Sequence, residues 1–395
     1  MKVMKFGGSV LNKYDGFSSM KDIVIEYKNH KMIIVISAFA NITRLLNNTL
    51  EYAKVNNKQE VDKHLSDIFH YHNNLADILL IDVQKKSLFL EYLQSIHDIL
   101  ARLCKGVMLT SELTDRIRDL FISHGELLAL EFVKHYLEQY ATSIICLDAR
   151  EIISTDSTFS HAKPNISKTK IQLQKVLNTT LHSANIALIH GFIASDDNGD
   201  TTTMGYESSN LTASMIGSFV NADEVIIWTN VEGIRTADPA VIENTKCLSM
   251  LSYEQAEQLS QHGVKVLHPS MFVFAKLTDT PVIIKSAFNY NGDKTLISAN
   301  GSDNEVEYVS MRSLMDSDSD VFHYSLHSLN TSEYSIVYAH TSERKVPKQL
   351  YNYLDSIDEE TYVVLSNTFD RTFQVLIHNK HAISLTSTIH SLILS

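Results

Sequence analysis

The sequence predicts an α/β fold with a mostly parallel sheet covered on both faces, followed by a small α+β module. Three observations predict it. Short β-branched apolar runs recur from Met1 to Ile284. Longer segments with helical periodicity separate them. Around Ala299–Val306 the composition turns to Asn, Gly, Ser and Asp, and shorter elements follow. The expected domains are residues 1–298 and residues 305–395.

The predicted strands are Met1–Phe6, Met32–Ser37, Ser143–Leu147, Ile186–His190, Glu224–Trp228 and Val282–Ile284. Each is a brief apolar run bounded by Gly, Ser, Asn or Asp, as buried strands are. The intervening segments are long enough for crossover helices. Residues 57–140 read as a helical excursion. Helix is predicted from Glu60 to Lys105, with apolar residues at Leu65, Ile68, Phe69, Leu88, Leu93 and Ile96. A second long helix is predicted over Asp115–Gln139. Gly125 lies inside it, at about 1 kcal/mol against alanine, and so needs a packing or functional reason. His64, His70 and His72 lack the i, i+4 spacing of a helical metal pair and read as a solvated face. Asp316–Asp320 starts like a calcium loop, but Val321 and His327 break the pattern, so a polar turn is expected. Beyond it the sequence reads strand (Phe322–Leu326), strand (Ser335–Ala339), helix (Pro347–Ser356), strand (Thr361–Leu365), strand (Thr372–Ile377) and helix (Ala382–Leu394).

A chain of 395 residues has room for two or three domains. Its formal charge of −12 argues against a nucleic-acid partner, which needs a basic face. Cys104, Cys146 and Cys247 are odd in number and widely spaced, which points to a reducing compartment without disulfides or a zinc pattern. No secretory signal or membrane-length apolar run is visible, so no membrane partner is expected and a cytoplasmic location is.

The opening run carries chemical information. Lys5, Gly7, Gly8 and Ser9 place a cation, two glycines and a hydroxyl at a strand end. Glycines let backbone N–H groups approach phosphate oxygens, so the set suits a triphosphate. An edge strand ending in a plain glycine turn fits the same residues. Four further segments stand out: Ser37-Ala38-Phe39-Ala40-Asn41-Ile42-Thr43, Ser123-His124-Gly125-Glu126-Leu127, Thr201 to Ala213, and Trp228 to Pro239 leading to His262-Gly263-Val264-Lys265-Val266. The first and third lie beyond strand ends, where open parallel sheets bind ligands. Ser208 or Ser209 is expected to cap the following helix.

Together these segments closely resemble the aspartokinases of the amino-acid kinase superfamily, in order and spacing, from residue 1 to about 297. Asp148-Ala149-Arg150 and Thr155-Asp156 also match. The resemblance implies a three-layer α/β/α kinase fold with a shortened ACT-like C-terminal region. It implies ATP- and Mg²⁺-dependent phosphorylation of the side-chain carboxylate of L-aspartate, a step of amino-acid biosynthesis. It gives catalytic roles to Lys5, Gly8, Ser9 and Glu126. Acceptor contacts would come from Phe39, Thr43, Glu126, Tyr206, Ser209 and Asn210. Nucleotide contacts would come from Lys5, Gly7, Gly8, Ser9, Thr229, Asn230, Arg235, Lys265 and Val266. No protein-built metal site is expected. The family pattern departs at Gly205-Tyr206-Glu207-Ser208-Ser209-Asn210, where relatives have Gly-Arg-Gly-Gly-Ser-Asp. The missing arginine fork would have gripped the α-carboxylate. Phe39 replaces a serine, Asn41 a glycine and Asn230 an aspartate. Arg235 stands where an aromatic residue is usual, and is a candidate to replace the arginine lost at Ala240. Three readings follow: an aspartokinase, a kinase for another small carboxylate or amino acid, and a weakly active regulatory subunit. By its length the ACT-like module is expected to lack its last strand, so an unpaired edge at Tyr362–Leu365 or Phe373–Ile377 and a homodimer through the C-terminal domain are expected.

Overall fold

β1 (Lys2–Phe6) pairs in parallel on both sides, with β2 (Met32–Ile36) and β7 (Glu224–Thr229). It is a central strand, which removes the edge-strand reading of the opening run. The structure is a computed structural model. It describes residues 1–140, 143–180, 184–205, 207–264, 266–301, 306–313, 334–340, 362–367 and 372–394, with Leu354 and Ser356. Contacts divide the chain into two units: Met1–Val231 with Ser270–Gly292, and Glu232–Pro269 with Asp293–Ser395.

In the first unit the strand order is β3-β4-β2-β1-β7-β9, adding β3 (Ile144–Leu147), β4 (Ile186–His190) and β9 (Val282–Ser286). All neighbours are parallel. The β2 residues Met32 to Ile36 are all buried, which is why the run is continuously apolar rather than alternating. Register sets Lys5 between Val35 and Ile227. A lysine therefore stands in the most enclosed row of the sheet, at its C-terminal end.

Helices cover the sheet, as the resemblance implies. α6 (His124–Leu137) packs on β2, β3 and β4, and α9 (Ser208–Phe219) on β1, β2 and β7. α1 (Tyr14–Glu26) joins α6 through rings: Phe17 meets Phe132 edge-on at 5.3 Å. α11 (Ala275–Thr278) sits on α9, where the Ala275 N–H donates to Ser214 Oγ at 3.1 Å. α7 (Ala149–Ile152) packs against α8 (Ile166–Thr180) and against β5 (Ile193–Ser195), which pairs with β6 (Thr201–Thr203).

The excursion is α2 (Ile42–Lys54), α3 (Lys58–Leu79), α4 (Val83–Thr110) and α5 (Asp115–Ile122). The predicted helix Glu60–Lys105 is broken after Leu79. Asp82 starts α4 by accepting from the Gln84 and Lys85 N–H groups at 2.9 and 3.0 Å. The predicted helix Asp115–Gln139 is α5 plus α6. Ser123 joins them with right-handed dihedrals, so no breaker residue marks the bend. The reason for Gly125 is packing: a Cβ there would lie 3.1 Å from Ala38 Cβ and 3.3 Å from Leu46 Cδ1. His72 is buried, not on a solvated face. Its Nδ1–H donates to the Ile68 carbonyl at 2.8 Å and its ring stacks on Phe39.

The second unit holds β8 (Met250–Leu251), paired in parallel with β10 (Lys294–Ile297), and α10 (Tyr253–Gln261), opened by a Ser252–Gln255 capping box. It also holds a 4-stranded antiparallel sheet, order β11-β12-β14-β13. These strands are β11 (Tyr308–Ser313), β12 (Tyr334–His340), β13 (Tyr362–Asn367) and β14 (Thr372–His378). α12 (Asn379–Leu394) covers β11 and β12 over a core that includes Val337, Ile377 and Leu385. β11 was not expected from the sequence. β14 lies between β12 and β13 and so has no open edge, and β11 and β13 are the two edge strands of the sheet. The turn Asp316–Asp320 and the strand Phe322–Leu326 lie outside the described residues, as does the helix Pro347–Ser356 apart from Leu354 and Ser356. No described helix is long and apolar enough to cross a membrane.

Candidate active site

A cleft of about 240 Å³ opens at the C-terminal edge of the parallel sheet in the first unit. Its lining includes Lys5, Gly8, Ser9, Thr43, Glu126 and Ser209, which are far apart in sequence. β1 delivers Lys5, and the chain then turns tightly, with the Val10 and Leu11 N–H groups donating to the Gly7 carbonyl at 3.0 and 2.9 Å. Both glycines sit where a side chain would crowd a neighbour, Gly7 against the movable lysine head and Gly8 against backbone. A Cβ on Gly7 would lie 2.5 Å from Lys5 Nζ, and one on Gly8 would lie 3.0 Å from Ala40 Cα. The turn thus leaves room for the lysine head and brings two backbones together.

Lys5 is only 9% exposed, and its ammonium has no hydrogen-bond or ion-pair partner among the described residues. Burial lowers its pKa, and the negative charge of Glu207 works against that fall. Glu126 comes from the first turn of α6 and is buried. One carboxyl oxygen accepts from the Ala38 N–H at 3.2 Å; Oε2 has no partner. Burial raises its pKa to about 8, with the Ala38 hydrogen bond opposing. The cleft therefore presents a desolvated cation that wants an anion and a desolvated carboxyl that wants a donor.

The opposite rim is the N-terminus of α9. Glu207, not Ser208 or Ser209, is the N-cap residue, and its side chain makes no capping hydrogen bond. Its backbone is left-handed at φ 62°, a conformation costing roughly 1–2 kcal/mol for a residue with a Cβ. Glu207 lines the cleft, and Asn210 Nδ2 donates to its Oε2 at 3.2 Å. Asn210 Oδ1 and Ser208 Oγ are buried without partners. Asn41, at the head of α2, is also left-handed at φ 66°, a conformation asparagine tolerates better than most residues with a Cβ.

The other expected site residues divide. Thr229 and Asn230 end β7, beside β1, with Thr229 Oγ1 donating to Asn230 Oδ1 at 3.3 Å. Phe39 does not line the cleft. It packs among Phe17, Tyr71, His72 and Phe132 in the core. Arg235 and Val266 belong to the second unit. The Arg235 guanidinium donates to Thr245 Oγ1 and to the Thr245 carbonyl at 2.7 and 2.6 Å and pairs with Asp293 at 3.5 Å. It is engaged locally rather than held free as a replacement cation. Tyr206 and Lys265 lie outside the described residues. No group of three or more His, Cys, Asp or Glu among the described residues could hold a metal ion.

Asp119 was missed. It is fully buried on α5 and accepts from the Thr203 N–H, the Thr203 hydroxyl and the Ser160 N–H, each at 2.8 Å. It fixes the end of β6 just before the Glu207 rim. Burial raises its pKa and the three hydrogen bonds oppose this. The available signal was an aspartate next to Leu120, Phe121 and Ile122, since a carboxylate among apolar neighbours must have partners.

The profile of the amino acid kinase family matches residues 1–286. Over 296 residues, 75% of this chain, it is 28% identical to the bifunctional aspartokinase/homoserine dehydrogenase 2, chloroplastic, of Zea mays, covering 32% of that protein. Over 299 residues it is 28% identical to the lysine-sensitive aspartokinase 3 of Escherichia coli, covering 63%. The chain thus spans about a third of the maize protein and less than two thirds of the bacterial one. The solved structure of E. coli aspartokinase III in complex with aspartate and ADP matches with a TM-score of 0.82 over 100% of both chains, at 20% identity. That likeness concerns the fold.

Proposed function

The chain belongs to the amino acid kinase family, and we propose that within it the chain transfers the γ-phosphoryl group of ATP to the side-chain carboxylate of L-aspartate, giving 4-phospho-L-aspartate. One observation carries the reading: the unpaired Lys5 ammonium and the unpaired Glu126 carboxyl oxygen face one cleft beside a glycine turn. The names of the relatives support it.

A side-chain carboxylate oxygen of the acceptor attacks the γ-phosphorus, the bond to the β–γ bridging oxygen breaks, and ADP leaves. No proton need move, so the protein's task is positioning and charge stabilisation. Lys5 meets the growing charge on the transferring group. The Gly7, Gly8 and Ser9 turn cradles the phosphates. Glu126, ionised, holds the acceptor's ammonium, and Thr43 and Ser209 border it. Thr229 and Asn230 border the nucleotide. Mg²⁺ would arrive on the triphosphate, since Mg²⁺ uses few protein ligands.

Residues 1–298 are then the catalytic region and 305–395 an ACT-like region for regulation and homodimer formation, in a cytoplasmic enzyme. The edge strand β13 supports the dimer. Light scattering on the full chain tests it, with Val364→Lys expected to weaken association. A second reading, a kinase for another small carboxylate or a weakly active regulatory subunit, is favoured by Glu207 on the acceptor rim and by the local engagement of Arg235. Coupled ADP release across a panel of amino acids and carboxylates separates these. Turnover with aspartate supports the first reading, turnover only with another acceptor the second, and none the regulatory subunit.

A further inference from the structure

The cleft's two rims carry opposite charge, and one of them is unexpected. A helix N-terminus facing a cleft favours an anion, because its first N–H groups and its dipole point outward. α9 is 12 residues long and presents that end through Ser209. Glu207 puts a carboxylate of the protein there. Asn210 fixes it at 3.2 Å, and the backbone holds a left-handed conformation to do so. Glu126 adds a second carboxyl whose Oε2 is buried and unpartnered in the same cleft. Lys5 is the only cation in the described lining. A ligand bringing phosphates and one reacting carboxylate already competes for Lys5. A second ligand carboxylate would meet Glu207 instead of an empty helix end.

We propose that Glu207 is a specificity-determining residue that disfavours a second carboxylate on the acceptor, so that the cleft prefers an acceptor with one carboxylate and a neutral or cationic far end. This deepens the phosphoryl-transfer reading and rests on it. Aspartate is then a weak acceptor, and its α-amide, which keeps the side-chain carboxylate and the ammonium, is a better one.

Calorimetry on the full chain with L-aspartate and with L-aspartic acid α-amide tests the idea without turnover. The α-amide is expected to bind the unaltered protein on the order of tenfold more tightly, about 1.4 kcal/mol. Glu207→Gly relieves both charge and backbone; Glu207→Gln removes the charge alone. Both should bring aspartate within about threefold of the α-amide, as expected for loss of one like-charge contact. Equal binding of the two ligands by the unaltered protein would overturn the proposal. So would an equal change for both ligands in the variants, which marks a backbone effect, or aspartate binding to none of the three proteins. ADP release is read in parallel. Its absence with both acceptors, alongside the expected binding ratio, would sink the kinase reading and leave the selectivity of Glu207 standing.

Discussion

The turn after β1 and the turn before α9 border the same cleft, yet they treat charge in opposite ways. The first has two glycines, a buried lysine and a backbone that passes close to Ala40. The second places a glutamate in a left-handed position at a helix N-terminus. One keeps everything an anion needs; the other gives an anion-favouring helix end a carboxylate of its own. A single fold can thus hold one half of a binding cleft fixed while the other half changes the charge it accepts.

The sharpest way to break this contrast is at Lys5. Lys5→Ala should lower kcat by about 10²-fold or more, as for loss of one electrostatic donor, with less effect on ATP binding. Near-normal turnover would remove Lys5 from the chemistry. The next effect concerns the support of the α9 rim. Asp119→Ala leaves the Thr203 and Ser160 donors unpaired. Thermal and urea unfolding should show a loss of about 2 kcal/mol. An unchanged midpoint would mean the rim holds its position without Asp119.

Glu126 gives a smaller effect that pH reveals. With its pKa raised by burial to about 8, it is mostly protonated at neutral pH in the empty cleft. If its carboxylate holds the acceptor's ammonium, kcat/KM for the acceptor should rise roughly tenfold between pH 6 and 7 and level off above 8. Glu126→Gln should be lower and flat. A steep profile in that variant would assign the titration elsewhere. The stability sign runs the other way. The folded state keeps a proton that the unfolded chain releases near 4.5. That stability is fully present at low pH and is lost as pH rises toward 8. Glu126→Gln should lack this decline, as unfolding measured at pH 5 and 8 would show.

The contrast also marks what the sequence could tell. The parallel strands were legible because each is a short apolar run buried on both faces, such as Met32 to Ile36. Lys5, Gly7 and Gly8 alone fitted a plain glycine turn equally well, and it was their company with the other family segments that marked them. The bend at Ser123 was not, since right-handed dihedrals leave no local signature. β11 was hidden because polar residues such as Ser310, Arg312 and Ser313 interrupt its apolar pattern. Phe39 occupies a position that holds serine in the family pattern, but a large ring follows volume into the aromatic core. Glu207 was visible as a departure at a glycine position. Its backbone angle and its grip by Asn210 were not, because both are set by how α9 meets the sheet.

The central place of β1 also has a consequence in time. Lys2 and Glu224 form an ion pair across a separation of 222 residues. On the ribosome, β1 waits for β7 while the helical excursion, β2, β3 and β4 are made. Pairings of such long range close late and slowly. β1 therefore stays open on its β7 side until the chain has been made past Glu224, and ligand capture by nascent chains of increasing length would show whether the cleft needs that pairing.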